Sequence, residues 1–146
     1  MFRKPQRTFI TEEFVQRIGD SGALAQAADR LNHKCHPGIA RLTSMSTWSL
    51  ICEEIVDTEY NQEYYERVVN ELYCRGLKDA EIRDMRIFTW KTAGWLNFEM
   101  MLWDWVSLDE RDICRAILWL RRRQEISRHD ARTMMDYVGQ YCESKE

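Results

Sequence analysis

Apolar residues recur along the chain at helical rather than strand spacing. Ile113, Ala116, Ile117 and Leu120 lie three and four apart, with arginines between them. Ala131, Met134, Met135, Val138 and Cys142 repeat the arrangement near the end, and Tyr64, Tyr65, Val68 and Leu72 near the middle. A period of 3.6 puts each set on one stripe of a helix and leaves the polar residues to the other side. The pattern predicts helices over 12–18, 23–31, 46–56, 59–75, 79–106, 110–124 and 128–141.

Their ends carry a second signal. Ile10/Val15, Leu77/Ile82, Leu108/Ile113 and Ile126/Ala131 are apolar pairs five residues apart, and the last three enclose an acid, Glu81, Asp112 or Asp130. That is the signature of a hydrophobic staple with an acid in the first helical turn, where the helix dipole favours negative charge. It places helix starts near Thr11, Lys78, Asp109 and Ser127, and Gly76 is a natural stop. The stretch MRIFTWKTAGWLNFEMMLWDWV differs from the rest. Phe88, Trp95 and Leu102 form one stripe, while Ile87, Trp90, Phe98, Met101 and Trp105 occupy the others, so this helix is expected at the centre of the core. The fold class is therefore all-α, a single-domain bundle of six or seven helices spanning residues 1–146, with a central Trp-rich helix.

Composition narrows the picture further. Two prolines and six glycines in 146 residues suit long helices with short connections. Apolar runs are far too short for a membrane span and the first residues lack an apolar signal core, so a cytoplasmic protein is expected. The five cysteines, Cys35, Cys52, Cys74, Cys114 and Cys142, show no C-x-x-C and no local pairing. Reduced, mostly buried thiols are the expectation.

The stretch LNHKCHPG gathers candidate chemistry, with His33, Cys35 and His36 inside four residues. All three are capable zinc ligands, yet neighbouring side chains diverge, so a tetrahedral site needs remote help. A reactive Cys35 beside two histidines and Lys34 is the other chemical option, because nearby cations lower a thiol pKa. The bland reading is a polar turn ending one helix, with Pro37 starting the next. The expectation is no bound metal and no cofactor. The tetrapeptide GDSG at Gly19–Gly22 is similar to the nucleophile turn of chymotrypsin-like serine proteases. Those enzymes are β-barrels, so here the glycines are read as a break between two helices. No Glu precedes a His by three residues, as carboxylate-bridged metal bundles require, and no phosphate-binding glycine loop occurs.

Residues Phe14, Val15, Gly22, Leu24, Ala27, Ala28, Leu31, Pro37, Ile39 and Arg41 carry a wider resemblance. The segment 14–42 resembles the start of LysR-type regulators, in which a helix, a glycine turn, an Ala-Ala-x-x-Leu helix and a proline-led recognition helix follow one another. The resemblance implies a helix-turn-helix substructure, with Lys34 and Arg41 as the cations available to nucleic acid.

Charge supplies the last cue. Glu53 to Glu71 contains seven acids and one arginine, whereas Arg111 to Arg132 contains seven arginines and three acids. On a helical wheel Arg111, Arg115, Leu118 and Arg122 share one face with Trp119 at its edge, opposite the apolar stripe. Arginine and tryptophan are the residues most enriched at binding hot spots. The expected function is a non-enzymatic protein-interaction module, such as an adaptor, inhibitor or immunity-type protein. Its partner is another protein or a second copy, whose acidic face would be Glu59, Glu63 and Glu66. A nucleic-acid-binding regulator is the alternative, and a metal or thiol site at His33, Cys35 and His36 the third.

Overall fold

The computed structural model describes residues 12–55, 60–99 and 108–142. These are all-α, without a strand. The helices are α1 (Glu12–Ser21), α2 (Ala23–Arg30), α3 (Thr47–Cys52), α4 (Gln62–Cys74), α5 (Asp79–Thr89), α6 (Trp95–Glu99), α7 (Glu110–Arg122) and α8 (Arg128–Gln140). A π-helical turn, Trp90–Gly94, runs directly from α5 into α6. The bundle expected from the periodicity is present, and the caps work as the spacing predicts. The Ser127 hydroxyl accepts from the Asp130 amide at 3.0 Å, the Asp112 carboxylate from the Asp109 amide at 2.9 Å, and the Glu81 carboxylate from the Lys78 amide at 3.0 Å. Each satisfies a donor that the first turn leaves orphaned.

The C-terminal ends are equally regular. α2, α4 and α7 all close with the paired bonds of a Schellman motif: His33 to Ala28 and Asn32 to Asp29, Leu77 to Leu72 and Gly76 to Tyr73, Glu125 to Leu120 and Gln124 to Arg121. The motif needs a left-handed residue, supplied by Asn32 (φ 55°), Gly76 (φ 92°) and Gln124 (φ 60°). Glycine adopts that conformation without steric penalty, which is why Gly76 stands out as a stop in the sequence.

α2 lies along α4, α1 along α5, and α3 touches both α4 and α5; the π turn then packs on α7, which pairs with α8. Trp48 sits where α3, α5 and α8 meet. It is fully buried against Phe88, Tyr137 and Tyr141, and its indole N–H donates to the Val138 carbonyl at 2.9 Å. Trp95 is also fully buried, with the Arg123 guanidinium 5.9 Å from its ring centre. The Trp-rich segment is thus central as expected, but not as one regular helix. The Thr89 and Thr92 hydroxyls donate to the carbonyls of Met85 and Phe88, and the extra residue of the π turn lets Trp90, Ala93, Trp95 and Leu96 all face inward. A Cβ on Gly94 would lie 3.0 Å from the Trp90 ring, so the turn has room only for glycine or a displaced indole. Phe98, Met101, Leu102 and Trp105, expected on the same helix, fall outside the described side chains.

Two expectations fail, for related reasons. The recognition helix led by Pro37 does not form: no residue between α2 and α3 is helical. The backbone there is taken up by α4 instead. Asn70, fully buried, accepts from the His36 amide at 2.7 Å and donates to the His36 carbonyl at 3.1 Å. Cys35 is disulfide-bonded to Cys74 at the end of α4, so the expectation of five reduced thiols is corrected. The loop laid across α4 covers Asn70.

Candidate functional site

Polar residues of the first half are bonded mainly to one another. Glu71, only 1% exposed, receives the Arg41 guanidinium in a two-pronged bond at 2.7 and 3.0 Å, the Leu42 amide at 2.9 Å and Arg75 at 2.9 Å. These donors, Arg41 foremost, hold its carboxyl down to about 2 against the opposing effect of burial. Arg75 continues the chain of contacts to the Thr47 hydroxyl and to the carbonyls of Leu42 and Met45. Glu54 and Arg86 form a second inward pair, each 3% exposed and 2.9 Å apart. Glu54 also accepts from the Trp90 indole at 2.9 Å and from the Leu24 amide in the first turn of α2 at 2.7 Å. Arg86 reaches the carbonyls of Ile18 and Gly19. A Cβ at Gly22 would fall 2.2 Å from the Arg86 guanidinium, so this glycine is required by a buried salt bridge rather than by a DNA-reading turn.

The His33/Cys35/His36 cluster is pulled apart. Cys35 is in the disulfide, the His36 ring lies 2.7 Å from the Leu31 carbonyl, and His33 turns toward α5. Among the described residues no group of three or more His, Cys, Asp or Glu side chains has the geometry to hold a metal ion. With Cys35 bonded, the free thiols are Cys52, Cys114 and Cys142, and burial is the leading cause raising the pKa of each. That direction disfavours the thiolate. Of the two cations assigned to nucleic acid, Arg41 is ion-paired with Glu71, while Lys34 is exposed.

His33 occupies a polar cluster that sequence reasoning did not anticipate. Its Nδ1 is 3.1 Å from Asp79 and its Nε2 3.1 Å from Asp29, and the Tyr73 hydroxyl donates to the same Asp79 oxygen. The hydrogen bond with Asp79 raises the imidazole pKa against desolvation, and the charges of both carboxylates add to the rise. His33 itself is left-handed, at φ 58°, directly after Asn32. Such a conformation costs of order 1 kcal/mol or more for a non-glycine residue and needs compensating contacts. The cluster edges a cleft of about 240 Å³ between α2 and α5, floored by Leu24, Ala28 and Ile82 and crossed at its far end by Asp20 and Arg83, 3.5 Å apart.

The second half has a different surface. Ile113, Ala116, Ile117 and Leu120 are buried as the wheel predicts, and Leu118 on the opposite face is 61% exposed. It is the exposed large hydrophobic of the described residues. Trp119 is half-buried against the core, and the Arg122 guanidinium lies 5.4 Å from its ring centre. Arg111 is bonded to Asp109 but 85% exposed, and Arg115 has only a 3.9 Å approach to Asp112. Beside them, α7 and α8 leave an apolar groove of about 380 Å³ lined by Cys114, Leu118, Val138 and Cys142, with Glu110, Arg111 and Arg115 at its edge. Helix α8 therefore does not cover Leu118.

The acidic face expected to receive this surface in a second copy is diminished. Glu66 is paired with Arg30 at 2.8 Å, Glu63 is exposed, and Glu59 lies outside the described residues. No helix of the described residues is long and apolar enough to cross a membrane. Comparison of the chain with protein-family models, with curated proteins and with solved structures returns no match.

Proposed function

We propose that the protein is a protein-interaction module whose docking surface is the α7–α8 groove and the face of α7 carrying Arg111, Arg115, Leu118, Trp119 and Arg122. The observation behind this reading is the exposure of Leu118 at the rim of an apolar groove flanked by arginines. A leucine left in water among charged neighbours gains nothing for folding, whereas a partner that covers it gains roughly 1.5–3 kcal/mol from a full side-chain burial. The partner we assign is an acidic amphipathic helix. Its apolar face would enter the groove, and its carboxylates would meet Arg115 and Arg122, which no close ion pair among the described residues engages. A second copy suits the surface less well, because Glu66 already serves Arg30.

The test uses a synthetic helix with leucines at i, i+4 and i+7 flanked by glutamates, titrated into the full chain by calorimetry. Binding is expected to weaken with salt and to be lost in the double variant Leu118→Glu, Arg115→Glu, with helicity and melting unchanged. Equal binding by the double variant overturns the assignment. So does a wild-type dimer that the same change dissociates, since the occupant is then a second copy.

A cytoplasmic location, also part of this reading, faces one opposing observation. The Cys35–Cys74 bond belongs to oxidising compartments more often than to the cytosol. Thiol titration of protein denatured directly from its native host decides: five reactive thiols support the cytoplasm and three an oxidising compartment.

A further inference from the structure

We propose that His33 is a proton-operated clasp that holds α2 to the start of α5 and so sets the width of the cleft between them. The argument is one of hydrogen-bond valence. Both ring nitrogens of His33 face carboxylate oxygens at 3.1 Å, one from Asp29 on α2 and one from Asp79 on α5. A carboxylate can only accept, so two such contacts need two N–H groups, which imidazole has only when protonated. The neutral ring has one N–H. Its other nitrogen then presents a lone pair to an oxygen lone pair, and one of the two contacts must open.

The surroundings decide which contact is lost. Tyr73 on α4 donates its hydroxyl to Asp79 and lies 3.4 Å from His33 Nδ1, so a neutral ring that keeps its one N–H for Asp29 accepts from Tyr73 in place of Asp79, and the contact between α2 and α5 is the one released. Lys34 follows in the same loop, and Lys78 precedes Asp79; both line the shallow recess on the other side of His33 and Tyr73. Arg83 on α5, across the cleft, is engaged with Asp20 at the end of α1. The clasp is therefore closed while His33 is charged and opens as pH rises through its folded pKa. Position in the chain makes the opening local. The Schellman bonds and the Cys35–Cys74 disulfide fix the backbone on either side of His33, so the movable part is the ring and the α2–α5 rim.

Imidazole NMR and amide hydrogen exchange on the full chain, from pH 5.5 to 9, test this. The His33 ring is expected to titrate above the 6.5 of a free imidazole, with both N–H groups seen at low pH, and Asp79→Asn to bring it down. Protection of the cleft-lining amides, corrected for intrinsic exchange, should fall about two- to fivefold across the titration, the scale of a partly exposed ion pair. His33→Gln should abolish that fall. If His33→Gln does not fold, Asp29→Asn replaces it as the flat-profile control. A His33 that titrates at or below 6.5, or protection that ignores pH in the wild type, overturns the clasp. The same pH profile persisting in the control variant overturns it too.

Discussion

The α2–α5 half and the α7–α8 half are both rich in charge and use it in opposite ways. In the first, the side chains of Glu54 and Glu71 are almost wholly out of water, each with several donors, and Asn70 holds a loop by its backbone. In the second, Arg111, Arg115 and Arg122 stand in solvent around Leu118. Removing one partner of a buried pair leaves an uncompensated charge, whereas removing an exposed arginine leaves only water. Polar residues in the first half thus act on the fold, and those in the second remain available to something outside it.

The sharpest break in that comparison should come from Arg86→Ala, which strands Glu54 in the interior and should cost about 3–5 kcal/mol in chemical denaturation. Trp95→Ala, which empties the centre shared by both halves, should cost a similar ~3–5 kcal/mol. A loss below about 1 kcal/mol in either, the range of ordinary surface changes, would mean the site is not buried as described.

Next in size is the disulfide. Cys35 and Cys74 lie 39 residues apart in sequence, and replacing both by serine should destabilise by about 2–4 kcal/mol, with the loss concentrated in hydrogen-exchange protection of residues 31–46. Its counterpart is an acid transition. Glu71 has a folded pKa of about 2 against an ordinary 4.5, so its contribution is complete above pH 4.5 and disappears as pH falls toward 2. Glu71→Gln should flatten that part of the stability profile. An unchanged profile would assign acid sensitivity to other carboxylates.

These positions also show how far the sequence could be read. The helices, their caps and the inward stripe of α7 were legible because they depend on local spacing; among the described residues the observed ends fall within a few residues of the predicted ones, except for the helix expected over 79–106, which the π turn interrupts and whose predicted end lies outside the described residues. The burial of Asn70 and Glu71 was not legible, because it comes from a loop thirty residues earlier, a contact that periodicity cannot register. One clue was present: Glu71 and Arg75 are four apart on a helix, the spacing of an ion pair. The disulfide joins cysteines with no local pattern, in a chain with an odd number of them. The missing recognition helix has the same origin, since Asn70 bonds the His36 backbone next to Pro37 and Glu71 the Leu42 amide. The wheel put Leu118 opposite the apolar stripe of α7, but its exposure also depends on the path of α8, which local spacing does not show.

The smallest expected effect is also the most telling for stability. Leu118→Glu with Arg115→Glu should change unfolding free energy by no more than about 0.5 kcal/mol, as at other surface positions. A larger loss would place Leu118 inside the fold's own contacts.

The central claim, that the α7–α8 face is the outward-directed half, is tested most directly by mapping backbone amide shifts while the acidic helix is added to isotope-labelled protein. Perturbations are expected at Cys114, Arg115, Leu118, Trp119 and Cys142, with Glu71, Asn70 and Arg86 unmoved. Shifts centred on the α2–α5 cleft, or spread evenly over both halves, would contradict the account.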